Sequence, residues 1–513
     1  SAWSMTDSPD SPTPEQVWEA AFDALQSGDE TKAQDSFLHW ALLLDENAQA
    51  AWLKEIPAEL HNTIGSILRT ANTISANPND SAHAWERLGN AWSIADRPDW
   101  AHDCFTRATR AAPKSAVAHY HLGVSFFGMG SIDEAEACFI LATKLDPAHA
   151  DSRYNLGLCH QTNGNSESAK QEYLKALELE PGHRFAGNNL ASMHMGELNL
   201  DQARDCLDSV IESHPENPPA RRNRAQVLLL QGEFKQGWAD FEYRFQTDTR
   251  EQHHAKTLWR SEPIHDKHLL VHFEQGLGDT IMFSRFLPRI REHCGRLTFA
   301  CQKPLLSLIK HSFPQIDVVA GDESVADFDV HLPLLSLGDR LGLHTESEFQ
   351  SEPYLFTDKN AALPNNGKPK VGVAWAGNPN HKSDGSRSIP WEQFKTVVEL
   401  DGIDFYNLQV GPRASDCGGG LIPLHNRITD FSDTAAIVNE LDLVITVDTA
   451  VAHLAAALGK PTWILIAALP DWRWRMERDE TVWYPSATLF RASKQTGWNT
   501  TLAEVRKQLP RQM

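Results

Sequence analysis

Apolar and polar positions between residues 82 and 251 follow a long period. Leu88, Leu122, Leu156 and Leu190 stand 34 residues apart, and so do Pro113, Pro147, Pro181 and Pro215. Gly130, Gly164 and Gly232 mark turns within the units, and Ala101, Ala135, Ala169 and Ala203 mark close helix contacts. Phe105, Phe139, Tyr173, Leu207 and Phe241 supply the anchors. A period of this length predicts helix-turn-helix units stacked as an α solenoid, five of them over 82–251. A further unit can be laid over 14–47 through Gly28, Ala33 and Phe37, with 48–81 as a degenerate spacer. Cys104, Cys138 and Cys206 share one repeat position, which predicts packing rather than chemistry.

After the last unit the pattern changes to strand-helix alternation. LLVHF, LTFAC, DVVA and FDVHL are short apolar runs separated by helical segments such as TIMFSRFLPRIREH and PLLSLIKHSF, which predicts a parallel sheet covered by helices. A polar stretch, TDKNAALPNNGKPK at 357–370, reads as a linker. The alternation then restarts with VGVAWAG, DFYNLQV, LVITVD and PTWILIA. The expected organisation is a tag remnant and disordered leader over 1–13, a solenoid over 14–251, and α/β domains of Rossmann-like type over 252–362 and 363–513. The second α/β domain closes with a C-terminal helix. Two such domains in tandem leave a cleft at the carboxyl ends of their strands, where ligands bind in open α/β sheets.

Composition narrows the function. The formal charge of −21 argues against nucleic acid, whose backbone demands clustered Lys and Arg. No apolar run is long enough for a membrane span. Seven cysteines without a C-x-x-C pair suit buried thiols in a reducing, cytoplasmic setting better than a disulfide frame.

Chemistry concentrates at four places in the α/β half. In HFEQGLGDTIMF at 272–283, a strand runs into a turn with Gly276 and Gly278, but Asp279 sits where a phosphate cradle would leave bare N–H groups. Strand LVITVD ends at Asp448, and a helix starts at once with Thr449 and Ala450. These small residues let an anion approach the free N–H groups of the first turn, and His453 lies one turn on. The alternative is a simple helix cap with an ordinary half-buried histidine. In GNPNHKSDGSRSIP, Asn378, His381, Lys382 and Arg387 form a loop whose guanidinium suits a diphosphate, or else a solvated basic loop. PDWRW at 470–474 sets Trp472 and Trp474 around Arg473, either to stack a base or sugar or to pack between domains.

YNLGLCHQTNGNSESAKQEYLKALELEP resembles the tetratricopeptide (TPR) family. EQGLGDTI, WAGNPNHKSDGSRSIP, VDTAVAHLAAALGKP and PDWRW, in that order, resemble bacterial glycosyltransferases of GT-B architecture, the heptosyltransferase-like enzymes of family 9 and their TPR fusions. The resemblance implies that Asp279 is the catalytic base of an inverting transfer. It also implies that Arg387 meets the donor diphosphate and that Asp448, Thr449 and His453 begin the donor-binding helix. Ala450 departs from the glycine common there. A nucleotide sugar is the implied co-substrate, with no metal and no other cofactor. Asn155, Asn189 and Asn223 occupy one repeat position and resemble the asparagine ladder of TPR-bearing protein O-glycosyltransferases. A protein acceptor modified on Ser or Thr is therefore expected, with flagellin leading by resemblance alone. Transfer to a lipid-linked saccharide and a catalytically silent TPR scaffold are the rival expectations.

Overall fold

The computed structural model describes residues 81–513, apart from 95–97, 247–256, 322–324, 326, 350–351, 382–383 and 419, together with scattered residues between 16 and 72. The leader 1–13, Gly28, Ala33, nearly all of 48–81 and Lys382 lie outside the described residues. The chain divides into two compact units, Ser1–Leu190 with Glu212–His214, and Ala191–Ile211 with Pro215–Met513.

The repeat helices are α1 (Ser81–Ile94), α2 (Pro98–Ala111), α3 (Ala116–Gly128), α4 (Ile132–Leu145), α5 (Ala150–Thr162), α6 (Ser166–Leu179), α7 (Arg184–Gly196), α8 (Leu200–Ser213), α9 (Pro218–Gln231) and α10 (Phe234–Phe241). In the first unit the anchors do what the period predicts. Phe105, Phe139 and Tyr173 are buried, as are Ala101, Ala135 and Ala169. Each ring lies close against a glycine in the preceding helix. A Cβ on Gly89, Gly123 or Gly157 would come within 2.5, 2.7 and 2.7 Å of Phe105, Phe139 and Tyr173 respectively. The helix starts are capped at a single repeat position by different chemistry. The Ser115 hydroxyl accepts from Ala118 N–H at 3.1 Å, while the Nδ1 atoms of His149 and His183 accept from Ser152 N–H at 3.1 Å and Ala186 N–H at 3.2 Å. Gly130 and Gly164 both take φ +78°, the left-handed turn that ends a helix without a Cβ clash. Phe37, the described member of the further N-terminal unit, is buried near Trp100, with ring centroids 6.3 Å apart.

The second unit begins inside the fourth repeat. Leu198 stands at the repeat position held elsewhere by Gly130, Gly164 and Gly232, and it adopts φ +67° despite its side chain. Beyond α10 come two sheets in which every strand pairing is parallel. The first has order β1-β5-β2-β3-β4, with β1 (Thr257–Leu258), β2 (Ile264–His272), β3 (Cys294–Cys301), β4 (Asp317–Ala320) and β5 (Val330–Pro333). The second has order β11-β10-β9-β6-β7-β8, with β6 (Lys370–Ala374), β7 (Asp404–Asn407), β8 (Ile422–Pro423), β9 (Leu443–Val447), β10 (Thr462–Ile466) and β11 (Ala487–Arg491). Three strands were not among the expected runs. β1 and β8 are two-residue edges, and β11 follows a long loop that hides its pairing with β10.

Two expectations about boundaries meet a different packing. The expected boundary at 251 lies outside the described residues, between the short helix Glu242–Gln246 and β1, but the compact units part earlier. Leu229, Phe234, Trp238 and Phe241 of the last repeat are buried in the same cluster as Leu269, Val271, Ile281 and Phe283, and that cluster continues to Leu454, Trp474 and Leu489. The expected linker is docked rather than free. Ala361 and Leu363 are buried with Tyr406 and Leu408, Lys359 Nζ lies 2.7 Å from Asp433, and Leu363 N–H donates to Glu440 at 2.7 Å.

Candidate functional site

Two helix starts meet in the second unit. The turn after β2 leads into α11 (Leu277–Ser284), and the turn after β9 leads into α12 (Ala450–Ala457). Both therefore stand at the carboxyl ends of parallel strands. They touch where side chains are smallest. A Cβ on Gly278 would lie 2.8 Å from His453 Cδ2 and 3.6 Å from Ala450 Cα, so the glycine admits the opposing helix. This close approach accounts for the glycine at 278, whereas a Cβ on Gly276 would meet only Asp279 of its own helix.

The first helix start closes on itself. Asp279 accepts from Gly276 N–H at 2.8 Å, which satisfies one of the orphan donors of the first turn. Its other oxygen pairs with the Arg473 guanidinium, which also reaches Asp471 at 2.5 Å and lies 4.3 Å from the Trp472 ring centre. Burial pushes the Asp279 carboxyl up, Asp471 and Glu274 add to the push, and Arg473 opposes it; the net direction is upward. Burial works against the Arg473 cation, yet Asp279 and Asp471 outweigh it and hold the guanidinium above its usual range. The result is a carboxylate that is paired and at the same time more basic than usual.

The second helix start stays open. Thr449 makes no side-chain cap, its hydroxyl lying 3.2 Å from that of Thr446 instead. Asp448 beside it is pushed up to about 6 by burial and by Asp471, against Arg473 and Arg387. The Arg387 side chain lies across Gly377, where a Cβ would be 2.8 Å from Nη2, and its buried Nε has no hydrogen-bond partner. Asn378 orders this loop through its own backbone and side-chain oxygens, which accept from His381 N–H and Asn380 N–H at 3.0 Å. Burial and Arg387 lower the His381 pKa, while Asp471, Asp279 and Asp384 oppose the shift, so this ring belongs to the same electrostatic neighbourhood.

Of the alternatives left open at PDWRW and at His453, the side-chain contacts favour packing. Trp472 is not open to stack on a ligand; it packs edge-on against Trp238 at 5.3 Å and near Phe241, Phe283 and Trp483. Arg473 does not present a free cation between two tryptophans, because Asp279 and Asp471 occupy it. His453 does not offer a charged ring to a phosphate. It is buried, bonded through Nδ1 to the Tyr484 hydroxyl at 2.9 Å and stacked 5.2 Å from Trp474, and burial holds its pKa well below the usual value. Each of these side chains has a partner far along the chain. Asp384, Arg413 and Tyr484 were missed for the same reason, whereas Asp471 pairs with Arg473 two residues on and was overlooked locally. Asp384 receives Arg413 at 2.6 Å and the Ser388 hydroxyl at 2.5 Å, and so braces the loop that carries Arg387.

The asparagine ladder has partners inside the solenoid. Asn155 Nδ2 donates to Asp151 O at 2.9 Å, and Asn189 Nδ2 donates to the Tyr173 hydroxyl at 3.2 Å. Asn223 lies on α9 in the second unit. A primary amide has two donor hydrogens and two acceptor lone pairs, so these bonds leave capacity for another ligand. A cavity of about 670 Å³ opens elsewhere, over His268, Arg296, Thr298, Lys310 and Asp317, and includes none of the residues around Asp279.

The glycosyltransferase family 9 (heptosyltransferase) profile matches residues 428–501, and tetratricopeptide repeat profiles match 116–149, 150–183 and 189–240. Protein FlbA of Caulobacter vibrioides is 27% identical over 319 residues, covering 55% of this chain and 53% of that protein, so the chain spans about half the length of this relative. Solved structures found similar to parts of the chain include Pseudomonas aeruginosa pilF, at 16% identity and TM-score 0.33 over 43% of this chain and 94% of that one. Another is MamA, at 20% identity and TM-score 0.28 over 33% and 97%. The chain thus joins segments that match tetratricopeptide repeat models to a later segment that matches the glycosyltransferase family 9 (heptosyltransferase) model. Among the described residues no helix is long and apolar enough to cross a membrane.

Proposed function

We propose that the chain is an inverting, metal-independent glycosyltransferase of GT-B architecture that moves a sugar from a nucleotide donor onto Ser or Thr of a polypeptide recruited by the repeats. The observation that carries this reading is the meeting of the two helix starts at Gly278, one bearing a raised carboxylate and the other without a side-chain cap and next to Asp448, whose ionisation Arg387 favours. In a direct displacement the acceptor hydroxyl attacks the anomeric carbon and loses its proton to Asp279. The bond from that carbon to the diphosphate oxygen breaks, and the leaving charge is met by the α12 N–H groups and the Arg387 guanidinium. Asp279 must exchange Arg473 for the acceptor hydroxyl, or share the two, during this step. Flagellin is the first acceptor to test, and a cytoplasmic setting fits the seven free thiols.

Thermal-shift measurements against a panel of nucleotides and nucleotide sugars test the donor half, since a ligand of the native state raises the melting temperature by mass action. No shift with any member removes the donor site. Mass spectrometry of flagellin and of a lipid-linked saccharide, each incubated with the shifting donor, then decides the acceptor class. Donor binding without transfer to either leaves a nucleotide-binding scaffold.

A further inference from the structure

The loop joining β10 to β11 carries Arg473 to Asp279, and two residues further on it is tied to the last repeat. Arg475 adopts φ +55° and Glu477 φ +58°, conformations disfavoured by any side chain and kept only where the surroundings enforce them. For Arg475 the enforcing contacts are plain. Its Nε donates to Leu230 O at 2.8 Å, its Nη2 donates to Gln231 O at 2.9 Å, and its Nη1 pairs with Glu346 at 2.6 Å. The guanidinium thus satisfies the last carbonyls of α9, which have no intrahelical donor. It fits because the next residue is Gly232, where a Cβ would lie 2.4 Å from Nη1. From the sheet side, Arg491 donates to Trp474 O at 2.6 Å and Arg475 O at 3.0 Å, fixing the same loop.

The Asp279 side of the pair is anchored on the same repeat. Glu274 lies in the turn that precedes α11, and it accepts from Arg244 Nε at 2.7 Å, Arg244 Nη2 at 2.9 Å and Leu335 N–H at 2.8 Å. Arg244 is buried in the short helix Glu242–Gln246 that ends the repeat. Both halves of one ion pair, from segments distant in sequence, are therefore referred to one helical hairpin.

We propose that the last repeat, residues 218–246, is a positioning element for the Asp279–Arg473 pair, with Arg475 and Arg244 as the positioning residues. On this view the repeat belongs to the reaction centre and is not a detachable recruitment module. The structural arm of the test is independent of the glycosyltransferase reading; the kinetic arm rests on it.

Hydrogen–deuterium exchange of the full chain bearing Arg475→Ala should show faster exchange, by about tenfold, in peptides spanning 471–478 and also 274–280. Peptides from β9 and β10 should be unchanged. Arg475→Lys, which keeps a cation for Glu346 and one carbonyl, should lie between. Faster exchange confined to 471–478 overturns the proposal. If Arg475→Ala loosens the whole unit, Glu346→Gln replaces it; a smaller rise in the same two segments supports the coupling, and none refutes it. With the donor found by thermal shift, Arg475→Ala should lower kcat about tenfold at unchanged donor affinity, with partial rescue by Lys. An equal loss of donor affinity would make Arg475 part of the donor site instead and overturn its positioning role. If no donor is found, the exchange result still decides the proposal.

Discussion

The two helix starts that meet at Gly278 are built from similar parts and end in opposite states. Each follows a buried parallel strand, each has an aspartate within a few residues of its start, and they approach closely at Gly278 and Ala450. In α11 the aspartate lies inside the helix, so its carboxylate folds back onto Gly276 N–H and spends the positive end of the helix on itself. In α12 the aspartate lies before the cap, so Asp448 cannot fold back in that way and Thr449 leaves the first turn uncapped. A shift of the carboxylate by a few positions thus separates a helix end capped by its own carboxylate from one left without a side-chain cap.

Four experiments bear on that difference, beginning with the largest effect. Asp279→Asn should lower transfer by about 10²–10⁴-fold with donor affinity retained, the range of a lost general base. Single-turnover transfer and donor titration measure the two separately, and a wild-type rate would leave Asp279 as a cap only. Arg387→Ala should act on the opposite helix end, costing roughly 10²–10³-fold in turnover through the leaving diphosphate. Unchanged kinetics at limiting donor would return the loop to solvent.

Replacing Asn155, Asn189 and Asn223 together by Ala should raise the acceptor KM about tenfold while sparing donor affinity. Each amide bond is worth on the order of 1 kcal/mol, and the intramolecular bonds seen at Asn155 and Asn189 reduce what a peptide can gain. Equal modification by wild type and the triple variant would move recruitment to another face of the repeats.

The smallest effect is on stability. Asp448 titrates at about 6 in the folded chain, against an ordinary value of about 3.9 when unfolded. Between those values the folded state binds the extra proton, so stability falls as pH rises. Above pH 6 the ionised carboxylate carries its full penalty, and below about pH 4 it carries none. Asp448→Asn should therefore melt about 2–4 °C above wild type at pH 8 and no higher at pH 3.5. A pH-independent difference would show that ionisation is not the cause.

Features of the molecule that depend on neighbours along the chain were legible without coordinates. The spacing of Leu88, Leu122, Leu156 and Leu190 named the solenoid, because a repeat must bury the same positions each time it stacks. The runs LLVHF and LVITVD named the strands, and their abrupt ends at EQGLGD and Asp448 marked the turns that meet. Long-range pairing was not legible. PDWRW offers two tryptophans and a cation to any reader. Only the fold shows that Trp472 fills a core with Trp238, that Arg473 is held by Asp279, and that Arg475 caps a repeat helix.

The amino-acid sequence by itself determined the two architectures, their order and the candidate base, since periodicity and local turn chemistry act over a few residues to a few tens. Tertiary structure alone decided which charges are free. A guanidinium or an indole has the same local signature whether it meets a ligand, a carboxylate or a helix end, and burial beside residues nearly 200 positions away selects among them. The same cause sets the limit of the repeat region. Helices α9 and α10 keep the repeat pattern, yet they place their apolar faces in the core of the sheets, because that is where the matching surface lies.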